Sequence, residues 1–557
     1  VATLRGLESR KTHTDNLFIM GRCPWCRAFM GSLDHGARAP RHAPNVVGYQ
    51  RSGATVVFKC PDAQCDFAAA LPTYVIDEDI YEKRPSLVIG TVDKFAMLAW
   101  KPEARALFGI NSDGKRAVAP PGLIIQDELH LISGPLGSIV GLYETVIEEL
   151  CTDRRDGSVV SPKIISSTAT IRRYAEQIKA LYARNETALF PPPGLDASDS
   201  FFARYARNSD GTMAPGRKYV GVNAPGLGSL QNTEVRTYTA LLLAPVILPP
   251  VEQDPWWTLL IFFNNLRMLG NSLSLFQSNV PGYFKVAQNR TRSSNRRYLD
   301  QIKELTGRLR SDEVPSAISA LEVSCTSAAG SKPVDVCLAS SIIEVGIDID
   351  RLSLMAVVGQ PKTTSQYIQV TGRVGRRWWE RPGLVVSIYS PSKPRDRSHF
   401  EKFRTYHESL YAQVEPTSVT PFSPPALDRA LHSVMAAYVR QTGSEIQARK
   451  PFPYPEDSVE RLREIILPRI RSVDPEEEEN FERVFDRRAS EWQRWERTRW
   501  DSGVSAQGGD MPLLRPAGAW VSREDALVSW ATQQSMRNVD AEAQIEITRL
   551  YLNDGEV

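Results

Sequence analysis

Apolar residues run along this chain in short blocks, several of which end in clustered polar residues. LIIQDELH (123–130) follows Pro120, Pro121 and Gly122, and reads as a buried parallel strand ending in carboxylates. KIIS (163–166) reads as another apolar strand, followed by Ser167, Thr168, Ala169 and Thr170 and by a helix over 171–184. WWTLLIFFNNLRML (256–269) predicts a strand and the helix after it, and SLVIGTVDKFAML (86–98) is expected to do the same. VCLASSIIEVGIDID (336–350) reads as a strand, a hydroxyl-rich turn and a Gly-Ile-Asp bend. Beyond SIYSPSKPRD (387–396) the spacing becomes helical, and Phe481, Val484, Phe485, Trp492 and Trp495 form one apolar stripe. Interleaved aromatic and basic residues are able to stack bases, but packing of that stripe onto a core is the expected use. Pro-, Gly- and Ser-rich stretches at 190–200 and 208–229 read as connections, and no internal repeat is visible.

At 557 residues the chain has room for three or four domains. Lys plus Arg number 67 against 65 Asp plus Glu, so no global basic field marks a nucleic-acid partner, and such binding requires a local channel. The longest apolar run, TALLLAPVILPPV (239–251), contains prolines and falls short of the roughly 20 residues a membrane span needs. Seven cysteines form no disulfide framework, and a reducing cytoplasm is the expected setting. No secretory leader is visible. The chain opens on Val1 rather than Met, as a fragment or trimmed chain would.

Two chemistries emerge. Cys23-Pro-Trp-Cys26 and Cys60-Pro-Asp-Ala-Gln-Cys65 are short-spaced pairs that allow four thiolates to converge on one tetrahedral Zn²⁺. A lone CxxC is equally a redox dithiol; the second pair argues for a structural metal, with His35 and His42 as the nearby substitute ligands. The second chemistry is that of a nucleotide. An acidic pair at a strand's C-terminal end lies where open α/β sheets bind ligands, and there Asp127 would hold Mg²⁺ while Glu128 orients an attacking water. A strand-end pair capping the next helix is the plainer use of the same residues. QVTGRVGRR (369–377) sets Arg373 and Arg376 three residues apart behind glycines, suited to a phosphate, although a solvated basic turn fits the same letters.

The order of DELH, SSTAT, EVGIDID and QVTGRVGRR resembles motifs II, III, V and VI of superfamily-2 helicases. EVGIDID and GRVGRR are similar to the corresponding phrases of Lhr-, Hrq- and MrfA-like DNA helicases. IGTVDKFAML, DELHLISGPLGS, SSTATIRRYAEQIKALY and FPPPGLDASDSFFARY together resemble the DrmA family, the helicase subunits of the bacterial DISARM anti-phage system, over roughly residues 20–430. The resemblance implies ATP and Mg²⁺ as cofactors beside Zn²⁺, DNA with a single-stranded region as substrate, and a DrmB-like partner. It assigns catalysis to Asp127, Glu128, His130, Arg373 and Arg376, and nucleotide contacts to Asp127, Gln369, Gly346 and Asp348. Thr91, Lys94, Ser340 and Ser341 fall to nucleic acid, and Ser167, Thr168, Ala169 and Thr170 to coupling. Ser341 departs from the acid or amide more usual in the family, which puts its role in doubt.

The implied fold is α/β, with two RecA-like parallel-sheet domains, a zinc-ribbon insertion and a mostly helical C-terminal region. The expected boundaries are 1–85 for a four-cysteine zinc-ribbon module attached to or inserted in the first RecA-like domain, 86–185 for the rest of that domain, 186–250 for a connection, 251–392 for the second domain and 393–557 for helices. A P-loop, GxxxxGK[ST], is not found. GINSDGKR (109–116) carries Arg116 where a hydroxyl belongs and leaves no room for the phosphate-binding helix before residue 123. The first domain is therefore expected to be incomplete. The alternative function is an ATPase-inactive DNA-binding or scaffold subunit.

Overall fold

The computed structural model describes all residues except 1, 9–17, 19, 34–44, 169–172, 193–194, 197–198, 200, 203, 291–295, 310–312, 327–331, 341–348, 416–417, 502–510, 520 and 538–557. The chain divides into two compact units, Thr73–Ala188 with Pro416–Val557, and Val1–Pro72 with Leu189–Glu415. These units join segments far apart in sequence, so their limits cut across the boundaries drawn from motifs.

In the unit built on Thr73–Ala188, β1 (Leu123–Gln126) pairs in parallel with β2 (Lys163–Ser166), Ile124 facing Ile164. Helix α1 (Gly134–Cys151) follows β1 and α2 (Tyr174–Tyr182) follows β2. Parallel pairing is as expected; burial is not. Ile124 and Ile164 pack on the core, but Leu123, Ile125 and Ile165 on the opposite face are 50%, 64% and 47% exposed. Parallel sheets need cover on both faces, and these two strands have no further neighbour among the described residues. The same correction applies to SLVIG. Leu87, Val88 and Ile89 are exposed and form no strand, and the regular structure begins with the 3-10 turns Val92–Ala99. An apolar segment becomes a strand only where another strand satisfies its backbone.

The other unit holds a six-stranded parallel sheet. Its strands are β3 (Lys218–Asn223), β4 (Leu259–Phe263), β5 (Ile302–Leu305), β6 (Val336–Ala339), β7 (Leu354–Val358) and β8 (Leu384–Tyr389), in the order β3-β8-β7-β4-β6-β5. The apolar run LLIFF is buried along its whole length because both faces are covered. Leu259, Ile261 and Phe263 meet α3 (Leu230–Leu243) and α4 (Leu266–Gln277), whereas Leu260 and Phe262 share a core with α5 (Thr364–Thr371). Ser229, Asn265 and Thr363 cap these helices through side-chain oxygens. The hairpin Tyr49–Phe58, which leads into Cys60, belongs to this same compact unit.

The C-terminal helices α6 (Pro424–Thr442), α7 (Glu456–Val473) and α8 (Glu478–Trp495) pack with α1 in one core. Phe481, Val484, Phe485 and Trp492 are buried and Trp495 is partly so, as the stripe predicts. Arg440 Nη1 donates to Ala99 O at 2.9 Å and Gln441 Nε2 to Leu98 O at 2.7 Å, so α6 secures the end of the turn that carries Lys94. No helix among the described residues is long and apolar enough to cross a membrane.

Candidate functional site

The acidic pair sits where β1 ends, and β2 brings the hydroxyl motif beside it. Ser167 Oγ donates to Asp127 Oδ1, Ser167 N to Gln126 O at 2.9 Å, and Leu129 N to Ser167 O at 2.9 Å. His130 is buried, its Nδ1 3.2 Å from Thr168 Oγ1 and 3.4 Å from Glu128 Oε2. Residues 40 apart in sequence are thus joined by direct hydrogen bonds. Glu128 holds φ +52°, a left-handed conformation that a glutamate adopts only under local constraint. That conformation lets Asp127 remain at the exposed strand end while Leu129 and His130 turn into the core. Ala169 and Thr170 lie outside the described residues.

A residue that motif reading missed supports this turn from below. Gln177 on α2 is buried and donates through Nε2 to Leu129 O at 3.1 Å and Ile132 O at 2.7 Å. Its one sequence signal is a polar side chain on the buried face of an amphipathic helix. Thr91 is exposed at the start of its 3-10 turn, and Lys94 Nζ pairs with Asp77 at 2.9 Å on the surface. GINSDGKR forms a turn closed by Gly114 N to Asn111 O at 3.0 Å, with Arg116 Nη2 donating to Leu150 O at 2.9 Å, so it serves as a structural loop.

In the other unit, Gln366 and Gln369 share one side of α5, and Arg373 continues that line beyond its end. Tyr367, Val370 and Thr371 are buried on the opposite side. Gln369, Arg373 and Arg376 are all half-buried. Gly375 has φ +64°, and a Cβ there would lie 2.5 Å from Gly383 Cα, so only glycine allows the turn to close. Arg377 Nη2 reaches Asp350 at 3.4 Å and Gly375 N donates to Leu352 O at 2.8 Å, which ties the exit of the EVGIDID segment to the arginine turn. Ser340 is buried at the end of β6, with its N–H 3.2 Å from Leu305 O. Ser341, Gly346 and Asp348 lie outside the described residues.

Cys23, Cys26, Cys60 and Cys65 offer four sulfurs all within 4.8 Å of one another, with Cys26 and Cys60 at 3.3 Å. Tetrahedral Zn–S bonds of about 2.3 Å place sulfurs about 3.8 Å apart, so this donor set fits zinc. Burial acts to raise the Cys23 thiol, but the backbone N–H groups of Cys26 and Trp25 outweigh it and hold it at about 7. Burial pushes Cys60 up to about 12. Burial thus opposes ionisation of Cys60, and a bound cation would offset that cost. His35 and His42 lie outside the described residues.

Residues 259–377 match the helicase conserved C-terminal domain family. The chain is 39% identical over 448 residues to the DISARM protein DrmA of Bacillus paralicheniformis. The chain thus resembles DrmA over most of its length, and its helicase C-terminal domain match lies within 259–377. The alignment covers 74% of this chain and 39% of that protein, so the chain spans about two fifths of its relative's length. Among solved structures, the helicase MrfA bound to DNA and AMPPNP is similar at 17% identity and a TM-score of 0.43, over 70% of this chain and 45% of that one. The Mycobacterium smegmatis helicase Lhr bound to ssDNA and AMP-PNP matches at 16% identity and a TM-score of 0.39, over 61% and 36%.

Proposed function

We propose that this chain is part of an ATP-driven DNA helicase or translocase in a DISARM-like anti-phage system, working in the cytoplasm with a DrmB-like subunit. The reading is carried by the hydrogen-bonded assembly of Asp127, Ser167, Thr168, His130 and Glu128. An acid pair used only as a helix cap has no need of a histidine bridging it to a hydroxyl strand. Asp127 would hold Mg²⁺, Glu128 would orient and deprotonate water, and Arg373 and Arg376 would stabilise charge developing on the transferred phosphoryl group. His130, between Glu128 and Thr168, would relay the state of the nucleotide to the rest of its unit. Thr91, Lys94 and Ser340 would contact the phosphate backbone of DNA with a single-stranded region, with Ser341 beside them. Gln369, Gly346 and Asp348 would contact the nucleotide, and the four cysteines would hold Zn²⁺.

The cradle for the β- and γ-phosphates would come from a further segment whose helix covers the bare face of β1 and β2, where Leu123, Ile125 and Ile165 stand exposed. Hydrolysis by the 557-residue chain alone should be weak, and by the gene product extended upstream DNA-stimulated. Glu128→Gln in that longer protein should bind ATP and lose turnover. Wild-type turnover in this variant, or robust ATPase from the 557-residue chain, would refute the assignment.

A further inference from the structure

Helix α5 leads into Arg373 and Arg376, yet its eight residues are too few for stability of its own. Each end is instead held by an ionised side chain from a distant segment. At the N-terminus both carboxylate oxygens of Glu415 accept from Thr364 N, at 3.0 and 2.8 Å, and Thr364 Oγ1 donates to the same carboxylate at 3.1 Å. Tyr406 OH donates to Thr364 Oγ1 at 3.1 Å and fixes that hydroxyl. At the C-terminus Arg217 Nε donates to Val374 O at 2.8 Å and Nη2 to Gly372 O at 3.1 Å. The signs match the helix dipole, negative at the N-terminal end and positive at the C-terminal end, and the bonds satisfy groups a helix end leaves open.

The carbonyls held by Arg217 belong to the residues on either side of Arg373. Gly375, next in the chain, is pinned to Leu352 O and packed against Gly383, so the turn to Arg376 has little slack. Glu415 is also the last residue of its compact unit, so the passage of the chain into the other unit begins at the residue that caps this helix.

We infer that Arg217 and Glu415 form a charge clamp on α5, positioning Arg373 and Arg376 for the nucleotide without touching it themselves. The inference rests on the reading of those arginines as the groups that stabilise the transferred phosphoryl. The test uses the full gene product and measures DNA-stimulated kcat and KM for ATP, with amide hydrogen exchange over residues 364–376 in the same proteins. Arg217→Ala should lower kcat by about 10²-fold with KM little changed, as misplacement of a reacting group by an ångström does. Arg217→Lys, which keeps the charge but only one donor nitrogen in place of two, should recover part of the loss, and Glu415→Gln should fall between. In a background carrying both Arg373→Ala and Arg376→Ala, Arg217→Ala should add nothing, because the clamp acts through these two arginines.

Wild-type kcat in Arg217→Ala, or the same fractional loss with and without the two arginines, would overturn the clamp. If Arg376→Ala itself turns over at the wild-type rate, the functional reading fails instead. Exchange then decides the clamp: faster exchange at Gly372–Arg376 in Arg217→Lys and at Thr364 in Glu415→Gln supports it, and unchanged exchange refutes it.

Discussion

Ile125 offers a direct test of whether the bare face of β1 and β2 is a docking face. It is 64% exposed, beside Leu123 at 50% and Ile165 at 47%, while the alternate residues Ile124 and Ile164 already pack on the core. Full burial of such a side chain contributes about 2.5 kcal/mol. Covering the part still in water is therefore worth about 1.5 kcal/mol for Ile125 and roughly 4 kcal/mol for the three together. Ile125→Lys forfeits that gain and sets a charge against an apolar cover, adding a desolvation cost of a few kcal/mol. In the 557-residue chain the lysine points into water, and the change should stay within about 0.5 kcal/mol. Urea unfolding of both lengths, each with and without the substitution, reads the difference. The expected result is a small shift of the midpoint in the shorter protein and a loss of at least ~2 kcal/mol in the longer one. Equal shifts in both would refute the docking face.

Three further outcomes are expected. The purified chain should carry one Zn²⁺ per molecule, and Cys60→Ser should lose it and loosen the ribbon around Phe58; less than half an equivalent by elemental analysis of the wild type would rule the site out. Burial of Glu144 on α1 outweighs Arg469 and raises its carboxyl to about 7, so the folded state keeps a proton that the unfolded chain releases near 4.5, and stability falls as pH rises between those values. Glu144→Gln should then stabilise by up to about 3 kcal/mol at pH 8 and hardly at all at pH 4, and an equal gain at both would contradict the reasoning. Lys94→Ala should weaken single-stranded DNA binding equally across sequences and flatten its salt dependence, whereas loss confined to one sequence would show that the residue reads bases.

Local pattern carried much of this protein. WWTLLIFFNNLRML announces a strand and the helix after it, the aromatic stripe of α8 points inward, and two cysteine pairs bring four sulfurs to one centre. The acidic pair and the hydroxyl motif were legible because each is short and contiguous. Their hydrogen bonding follows from the parallel register of β1 and β2, which pairs Gln126 with Ser166. Sequence could not say that Leu123 and Ile125 would stand in water, since an apolar run specifies a wish for cover and not the presence of it. Nor could it find Gln177, Arg217 or Glu415. Each acts on backbone atoms between 45 and 157 residues away, and a backbone carbonyl or N–H carries no letter in the sequence. Which side chain meets it is decided by the path of the chain in space, so the motifs could be read one by one while the groups that hold them in place emerged only from the fold.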